Sequence, residues 1–385
     1  MYPNELDSFE PIAKIIVIGL GGAGNNAVNR MIDEDIGNVE FYVANTDKQA
    51  LALSKASNRI VLGEETTGGL GAGGDPEIGR KAAEESEEEI RKIVSQAKMV
   101  FIAAGMGGGT GTGAAPVISR ICKECGALTV AIVTRPFTFE GDKKIDTSVE
   151  GLKELREACD SLIVVSNDKL LLNRGNLPIA QAFGAADEVL ARSVKTVIDL
   201  VLMPSYINCD FADVKNTLEN SGVAFIGFGS GSGSNNAIDA ADDALACPLI
   251  EQSITGARKA ICHITCGPKV TLIDYNVCIQ RLVAKSGGTI DLKAGVAVND
   301  QLDDQIMVSI IAGDFDKEYD FSVNPEGNFS VDTLTKMKAT QEENKFKTSI
   351  EKENLEQINS LNNEENISKN DEEESLIPDF LKDML

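Results

Sequence analysis

Seven residues, Gly107-Gly-Gly-Thr-Gly-Thr-Gly113, follow the apolar run Met99-Val-Phe-Ile-Ala-Ala104 and open into Ala114-Ala-Pro-Val-Ile-Ser119. That order reads as a buried strand, a loop and a helix N-terminus. Glycine lets a backbone take positive φ and approach a ligand closely, and the first N–H groups of a helix have no partner inside it. Together they make an anion site suited to a phosphate, with the hydroxyls of Thr110 and Thr112 as further donors. A plain turn needs one or two glycines, and further ones only add to the entropy lost on ordering.

The same pattern recurs along the chain. Ala13-Lys-Ile-Ile-Val-Ile-Gly19 reads as a buried strand, followed by Gly19-Leu-Gly-Gly-Ala-Gly24 and a helix to about residue 35. This is a formal GxGxxG, the dinucleotide fingerprint, and it makes an NAD-dependent Rossmann oxidoreductase the alternative reading. The strand Val39–Ala44 ends in Asn45-Thr-Asp47, where such an enzyme carries an acid for the ribose. A second glycine tract, Gly68-Gly-Leu-Gly-Ala-Gly-Gly74, is closed by Asp75-Pro76 as helix cap and first turn. One dinucleotide has no use for three glycine loops unless they wrap it.

Strands at Leu128–Val133 and Ser161–Ser166 alternate with helices and end in the loops Thr134–Gly141 and Asn167-Asp-Lys169. The alternation predicts a doubly wound parallel sheet with its ligand at the strands' C-terminal ends. No GxxxxGK[ST] occurs, so the phosphates have no P-loop lysine, and backbone amides, a helix dipole and a metal are left to neutralise them. Which residues hold that metal is left open.

Residues 178–203 carry apolar side chains at helical spacing on two sides, among them Phe183, Ala186, Val189, Leu190, Val194, Val197 and Ile198. They predict a long central helix between two domains. Phe183 and Asp187, four apart near its start, share a face, so a ring and a carboxylate can address one base; the plain alternative is a core phenylalanine beside a solvated acid. Asn208-Cys-Asp-Phe-Ala-Asp213 follows the helix. Capping is the ordinary role of such residues, and a cap needs only one of them.

Strands at Val223–Phe228 and near 260, 270, 290 and 306, with an alanine-rich helix, predict an α+β second domain. The divisions expected are an N-terminal extension 1–12, a first domain 13–177, the central helix 178–203, a second domain 204–317, a disordered acidic linker 318–371 and a docking peptide 372–385. The linker is expected from its Glu, Asn, Lys and Ser content, and the docking peptide from Leu376-Ile-Pro-Asp-Phe-Leu-Lys-Asp-Met-Leu385.

Composition removes several alternatives. A net charge of −24 argues against nucleic-acid binding. No apolar run reaches the roughly 20 residues that span a bilayer, and the polar start is unlike a signal peptide, so a cytoplasmic protein with no direct membrane insertion is expected. Eight cysteines scattered through 385 residues read as reduced core residues, the Cys122–Cys125 pair included. His263 is the sole histidine and reads as a strand residue, which excludes a His-rich metal site.

With these motifs in place, the chain resembles the FtsZ family, the tubulin-like bacterial cell-division GTPases, over nearly its whole length. The residues that carry the resemblance are Gly107–Gly113, Asn45–Asp47, Gly69–Gly73, Arg135-Pro-Phe-Thr-Phe-Glu-Gly141, Asn167–Lys169 and Asn208–Asp213. The resemblance implies a tubulin-like α/β fold that hydrolyses GTP to GDP. The phosphates, with Mg2+ beside them, would lie on Gly21, Gly22, Gly107, Gly108, Gly109, Thr110, Gly111, Thr112 and Gly113. Asn25, Asn45 and Gly73 would belong to the same nucleotide site. Glu140 would meet the ribose, and Asn167, Phe183 and Asp187 the guanine. Lys144 stands where the family has an arginine. The resemblance also implies head-to-tail filaments in which Asn208, Asp210 and Asp213 act on the next subunit's GTP, a division ring at mid-cell, and capture of membrane-associated division proteins by residues 376–385.

Overall fold

In chain order the first sheet is built from β1 (Ile15–Leu20), β2 (Glu40–Asn45), β3 (Asn58–Val61), β4 (Met99–Gly105), β5 (Leu128–Arg135), β6 (Ser161–Ser166) and β7 (Gly222–Val223). All pair in parallel, in the spatial order β3-β2-β1-β4-β5-β6-β7. β1, β5 and β6 are buried along their whole length, which is why each reads as a near-continuous apolar run: helices cover both faces of a parallel sheet. The computed structural model describes residues 14–169, 178–202, 206–207, 209–246, 250–316 and 319–322.

The connecting helices are α1 (Gly21–Asp33), the short α2 (Lys48–Ala52) and α3 (Glu64–Thr67), α4 (Pro76–Glu85), α5 (Glu87–Val94), α6 (Thr110–Glu124) and α7 (Asp142–Ala158). α8 (Ile179–Leu202) is the expected central helix. Val189, Leu190, Val194, Val197 and Ile198 of α8 belong to one buried cluster with Ile15 and Val17 of β1 and with Ile226, Ile261 and Ile310 beyond it. The helix is thus core on both sides, as its two-sided apolar pattern requires.

After α9 (Phe211–Leu218) the second sheet forms from β8 (Phe225–Gly231), β9 (Ala257–Cys266), β10 (Asp291–Val298) and β11 (Ile306–Phe315), in the order β10-β9-β11-β8. β9 and β10 are parallel, and β11 runs antiparallel to β9 and β8. α10 (Asn236–Ala246) and α11 (Leu272–Ser286) complete this part, which is the expected α+β arrangement.

Three expectations change. The strand predicted over Val223–Phe228 is divided between the sheets: Val223 pairs with Leu162 of β6, and the second sheet begins at Phe225. The run near 270 is the start of α11, where Thr271 and Asp274 form a reciprocal capping box. Residues 319–322, expected within the linker, are packed instead: Phe321 is buried among side chains of the first sheet and Tyr319 packs beside it. The expected extension 1–12, most of the linker and the docking peptide lie outside the described residues. No helix among the described residues is long and apolar enough to cross a membrane.

Candidate functional site

The chain runs from β1 to β2 and β3 on one side of the sheet and from β4 onward on the other, so the strand order reverses between β1 and β4. A crevice at such a reversal, outside the C-terminal strand ends, is where an open α/β sheet takes its ligand. Both strands there pass directly into glycine loops and helix N-termini. Gly21 opens α1 at φ +66°, and a Cβ built on it would lie 3.2 Å from the amide nitrogen of Gly111 in the first turn of α6. Neither helix has a side-chain cap or an acid in its first turn. Two helix N-termini with free N–H groups therefore meet at one point, a concentration of positive potential suited to a polyphosphate.

The crevice is a cleft of about 500 Å³. Its walls are Leu20–Ala23 and Asn26 after β1, Gly105–Gly111 after β4, Thr134 and Pro136 after β5 with Glu140 and Lys144 beyond, Asn167 after β6, and Phe183, Ala186 and Asp187 from α8. One end is glycine and helix N-termini; the other is a ring, a carboxylate and an amide.

Burial gives that second end its character. It pushes the Asp187 carboxyl up to about 6, against the opposing pull of Arg30. Asn167 is 7% exposed, and its Oδ1 has no hydrogen-bond partner among the described residues. A buried orphan acceptor is costly and is expected where a ligand supplies the donor. Phe183 is half-exposed and held edge-on by Phe137, with ring centroids 5.3 Å apart; Phe137 in turn stacks on Phe139 at 4.8 Å. A flat ligand with adjacent N–H donors on one edge matches this set: the ring for its face, Asp187 and Asn167 for its edge.

Residues 14–174 match the model of the Tubulin/FtsZ family GTPase domain, and residues 222–316 that of the FtsZ family C-terminal domain. The solved structure described as an empty FtsZ dimer from M. jannaschii is 38% identical, with a TM-score of 0.72, covering 85% of this chain and 97% of that one. The chain belongs to the FtsZ family. A variant FtsZ from the same organism is 40% identical over 79% of this chain and 91% of that one, at a TM-score of 0.71. A GTPγS-bound CetZ2 protofilament from Haloferax volcanii, 20% identical over 86% of this chain and 99% of that one at a TM-score of 0.69, shares the fold. As a member of the tubulin/FtsZ family the protein is a GTPase and binds guanine nucleotide. The oxidoreductase alternative falls with that assignment.

Against this FtsZ-family fold, the expected site residues divide. Gly21, Gly22, Gly107, Gly108, Gly109, Thr110, Gly111, Glu140, Lys144, Asn167, Phe183 and Asp187 line one cleft. Thr112 does not: it is buried, and its hydroxyl accepts the N–H of Gly107 at 2.8 Å, closing the glycine loop on itself. Gly113 serves packing, since a Cβ there would lie 2.0 Å from the carbonyl oxygen of Pro76 in α4. Asn25 and Asn45 lie behind the loop. With the Asn25 amide oriented to suit its neighbours, its Nδ2 donates to the carbonyls of Gly21 (2.9 Å) and Gly19 (3.0 Å), and its Oδ1 accepts from Asn45 Nδ2 (3.3 Å). Gly73 is exposed in the second glycine tract, outside the cleft lining. Glu140 is already engaged, accepting from the N–H of Phe137 (3.0 Å) and from Lys144 Nζ (2.9 Å).

Asn208 lies outside the described residues. Asp210 and Asp213 do not reach the cleft. Asp210 Oδ1 accepts the N–H of Asp213 at 2.8 Å, and Asp213 Oδ2 accepts that of Asp210 at 3.2 Å, so one capping box uses both acids where a single cap was expected. Lys293 of β10 bonds Asp213 and holds its carboxyl below the usual range. Sequence reasoning passed over Asn26, Thr134, Pro136 and Ala186 in the cleft wall and Phe137 behind it; Thr134–Phe137 lie inside a loop it had singled out.

No group of three or more His, Cys, Asp and Glu gathers among the described residues to hold a metal. A magnesium ion chelated by a nucleotide's phosphates needs no such cage, and the hydroxyl oxygens of Thr110 and Thr134 in the lining are hard donors of the type it takes.

Proposed function

We propose that this GTPase polymerises head to tail, that Asp210 and Asp213 of one subunit complete the site of the next, and that the filament forms the cytoplasmic division ring at mid-cell. The observation that carries the reading is the placement of these acids. Phe183, Ala186 and Asp187, near the start of α8, line the cleft, whereas Asp210 and Asp213 follow its far end. A helix of 24 residues spans about 36 Å at about 1.5 Å per residue, too far for one chain to bring its acids to its own nucleotide. A heterologous contact repeats without closing and can set the lower end of one subunit on the cleft of another. The relatives described as an FtsZ dimer and a CetZ2 protofilament support such assembly, and the higher identity to FtsZ than to CetZ favours the division role.

In this reading the N–H groups of Gly21, Gly22 and Gly107–Gly111 take the phosphates, with Thr110 beside them. Glu140 and Lys144 flank the ribose, and Phe183, Asn167 and Asp187 read guanine. Asn25, Asn45, Thr112 and Gly113 hold the loops in shape from behind, and Gly73 belongs to a tract at the cleft's rim. Mg2+ bound with the phosphates would offset their charge. Phosphoryl transfer to water needs positioning and charge stabilisation more than a strong base. Asp213, kept ionised by Lys293, and Asp210 suit the orienting of that water. Capture of membrane-associated division proteins by residues 376–385 rests on the apolar cluster in that segment alone.

The test is GTP turnover per molecule across a concentration series, with assembly followed by light scattering. Turnover should collapse where scattering vanishes. A constant rate per molecule through that point would overturn the shared site.

A further inference from the structure

Arg135 ends β5, one residue before Pro136 in the cleft wall, and is itself buried at 6% exposure. Its guanidinium does not turn into the cleft. Nη1 lies 3.2 Å from Glu251 Oε2 and 3.4 Å from Oε1, and Nη2 donates to the carbonyl of Phe321 at 3.2 Å. Glu251 comes from the segment after α10, which joins the first sheet where Ile250 bridges Val165 and Glu251 N donates to Val164 O (3.1 Å). The same Glu251 Oε2 accepts the hydroxyl of Tyr319 at 2.7 Å.

A buried carboxylate, a buried guanidinium and a tyrosine from three distant parts of the chain thus close on the base of the Pro136–Lys144 loop. Desolvating such an ion pair is costly, and a hydrophobic cluster would hold these segments as well. What the ionic arrangement adds is direction: a forked guanidinium with three acceptors fixes the backbone of Arg135, and with it the point from which the loop departs. Further along, Asp168 accepts the N–H of Thr138 at 2.9 Å and bonds its hydroxyl. The loop is therefore pinned at its base by Arg135 and at its middle by Asp168, the neighbour of Asn167.

We infer that Tyr319 and Glu251 are positioning residues for the nucleotide site: acting through Arg135 and without touching the ligand, they set the loop that carries Glu140 and Lys144. The inference rests on the reading of the cleft as the guanine-nucleotide site. Tyr319→Phe removes one hydroxyl and keeps the ring against Phe321; Glu251→Gln keeps the shape and removes the charge. GDP affinity of the full chain should fall about three-fold or more in the first variant and about ten-fold or more in the second, since the first loses one bond to Glu251 whereas the second removes the charge that strengthens the bonds from both Tyr319 and Arg135. A purely structural clasp would lower the melting temperature and leave the affinity of the folded protein unchanged. Leu282→Ala, buried on α11 and outside the cleft lining, is the control, with melting temperature and GDP dissociation constant read on each protein. Weaker binding in Tyr319→Phe and Glu251→Gln with unchanged binding in Leu282→Ala supports the inference. Unchanged affinity in both clasp variants, or an equal loss in Leu282→Ala, overturns it. Failure of the unmutated chain to bind GDP would instead overturn the reading of the cleft, and the inference with it.

Discussion

The hydroxyls of Thr46 and Thr110 lie 2.7 Å apart, joining the loop after β2 to the first residue of α6. Thr46 is fully buried, and its carbonyl accepts the N–H of Gly71 (3.0 Å) and the hydroxyl of Thr67 (3.3 Å), so one residue ties the second glycine tract to the first. The tie lies beside the glycine end of the cleft, whose Thr110 it holds, and it orders two glycine tracts without a ligand. Thr46→Val should lower unfolding stability by about 1 kcal/mol, the net worth of one such bond, because Thr110 lines the cleft and can turn to water. Urea unfolding measures this, and an unchanged midpoint would mean that the two hydroxyls do not depend on each other.

The glycines of the Gly107–Gly113 loop separate into two kinds by what a methyl group would meet. At Gly108 an added Cβ has nothing within 4 Å, while at Gly113 it would meet the Pro76 carbonyl at 2.0 Å. Gly113→Ala should therefore push α4 and α6 apart and cost about 1–3 kcal/mol of stability. Gly108→Ala should melt as the unmutated protein does, yet place its methyl where phosphates approach in the proposed reading. A loss of roughly 1.4 kcal/mol of contact there is a ten-fold weaker GTP affinity. Calorimetry and nucleotide titration on the pair distinguish the two kinds, and equal effects would show that the division is wrong.

How far the sequence could be read follows the same physics. The runs that became β1, β4, β5 and β6 were legible because a parallel sheet covered on both faces leaves no polar alternation. α8 was legible within a residue at each end because its apolar pattern is long. The run near 270 reads as a strand because so short an apolar stretch cannot separate the two periods, and the deciding signal is Asp274, three residues after the cap Thr271. The second role of the glycines was not legible at all. Gly79 and Gly113 are needed because α4 and α6 touch, and that contact exists only in three dimensions. For the same reason Thr112 read as a ligand donor, when its hydroxyl is held by the backbone of Gly107.

If Asp187 reads guanine as proposed, its carboxyl, raised to about 6 by burial, makes base recognition depend on pH. Guanine offers N–H donors, which favour the carboxylate, so binding should strengthen as pH rises from 5 to 7.5 and should release a proton at the acid end. Below pH 6 the affinity should drop by up to about ten-fold per unit, the limit for one ionisation. For the ligand-free protein the sign is opposite: a folded state that holds this proton to higher pH than the unfolded chain is favoured in acid, and it loses that contribution as pH rises through about 6. Asp187→Asn should flatten the binding profile. A GTP titration series across pH that gave the same slope in both proteins would remove Asp187 from base recognition.

Asp210 and Asp213 have a structural task beside the catalytic one proposed for them, and a pair of substitutions separates the two. The reciprocal capping box at the start of α9 accounts for both side chains without any nucleotide. Asparagine is as good an N-cap as aspartate, whereas alanine in place of a cap costs about 0.5–2 kcal/mol. Asp210→Asn should therefore keep the stability of the unmutated protein and Asp210→Ala should lose some. Both should bind GTP normally, since neither acid lines the cleft. If Asp210 orients water on the next subunit's nucleotide, the asparagine variant loses the carboxylate while keeping the fold, and its turnover should fall by about 100-fold, the lower range for a positioned proton-accepting group. The filaments should persist longer, because the nucleotide at each contact is spent more slowly. Measuring phosphate release and light-scattering decay on the same samples makes the comparison. Full turnover in Asp210→Asn with impaired turnover only in Asp210→Ala would mean that Asp210 acts as a cap alone, leaving Asp213 to carry the interfacial chemistry without it.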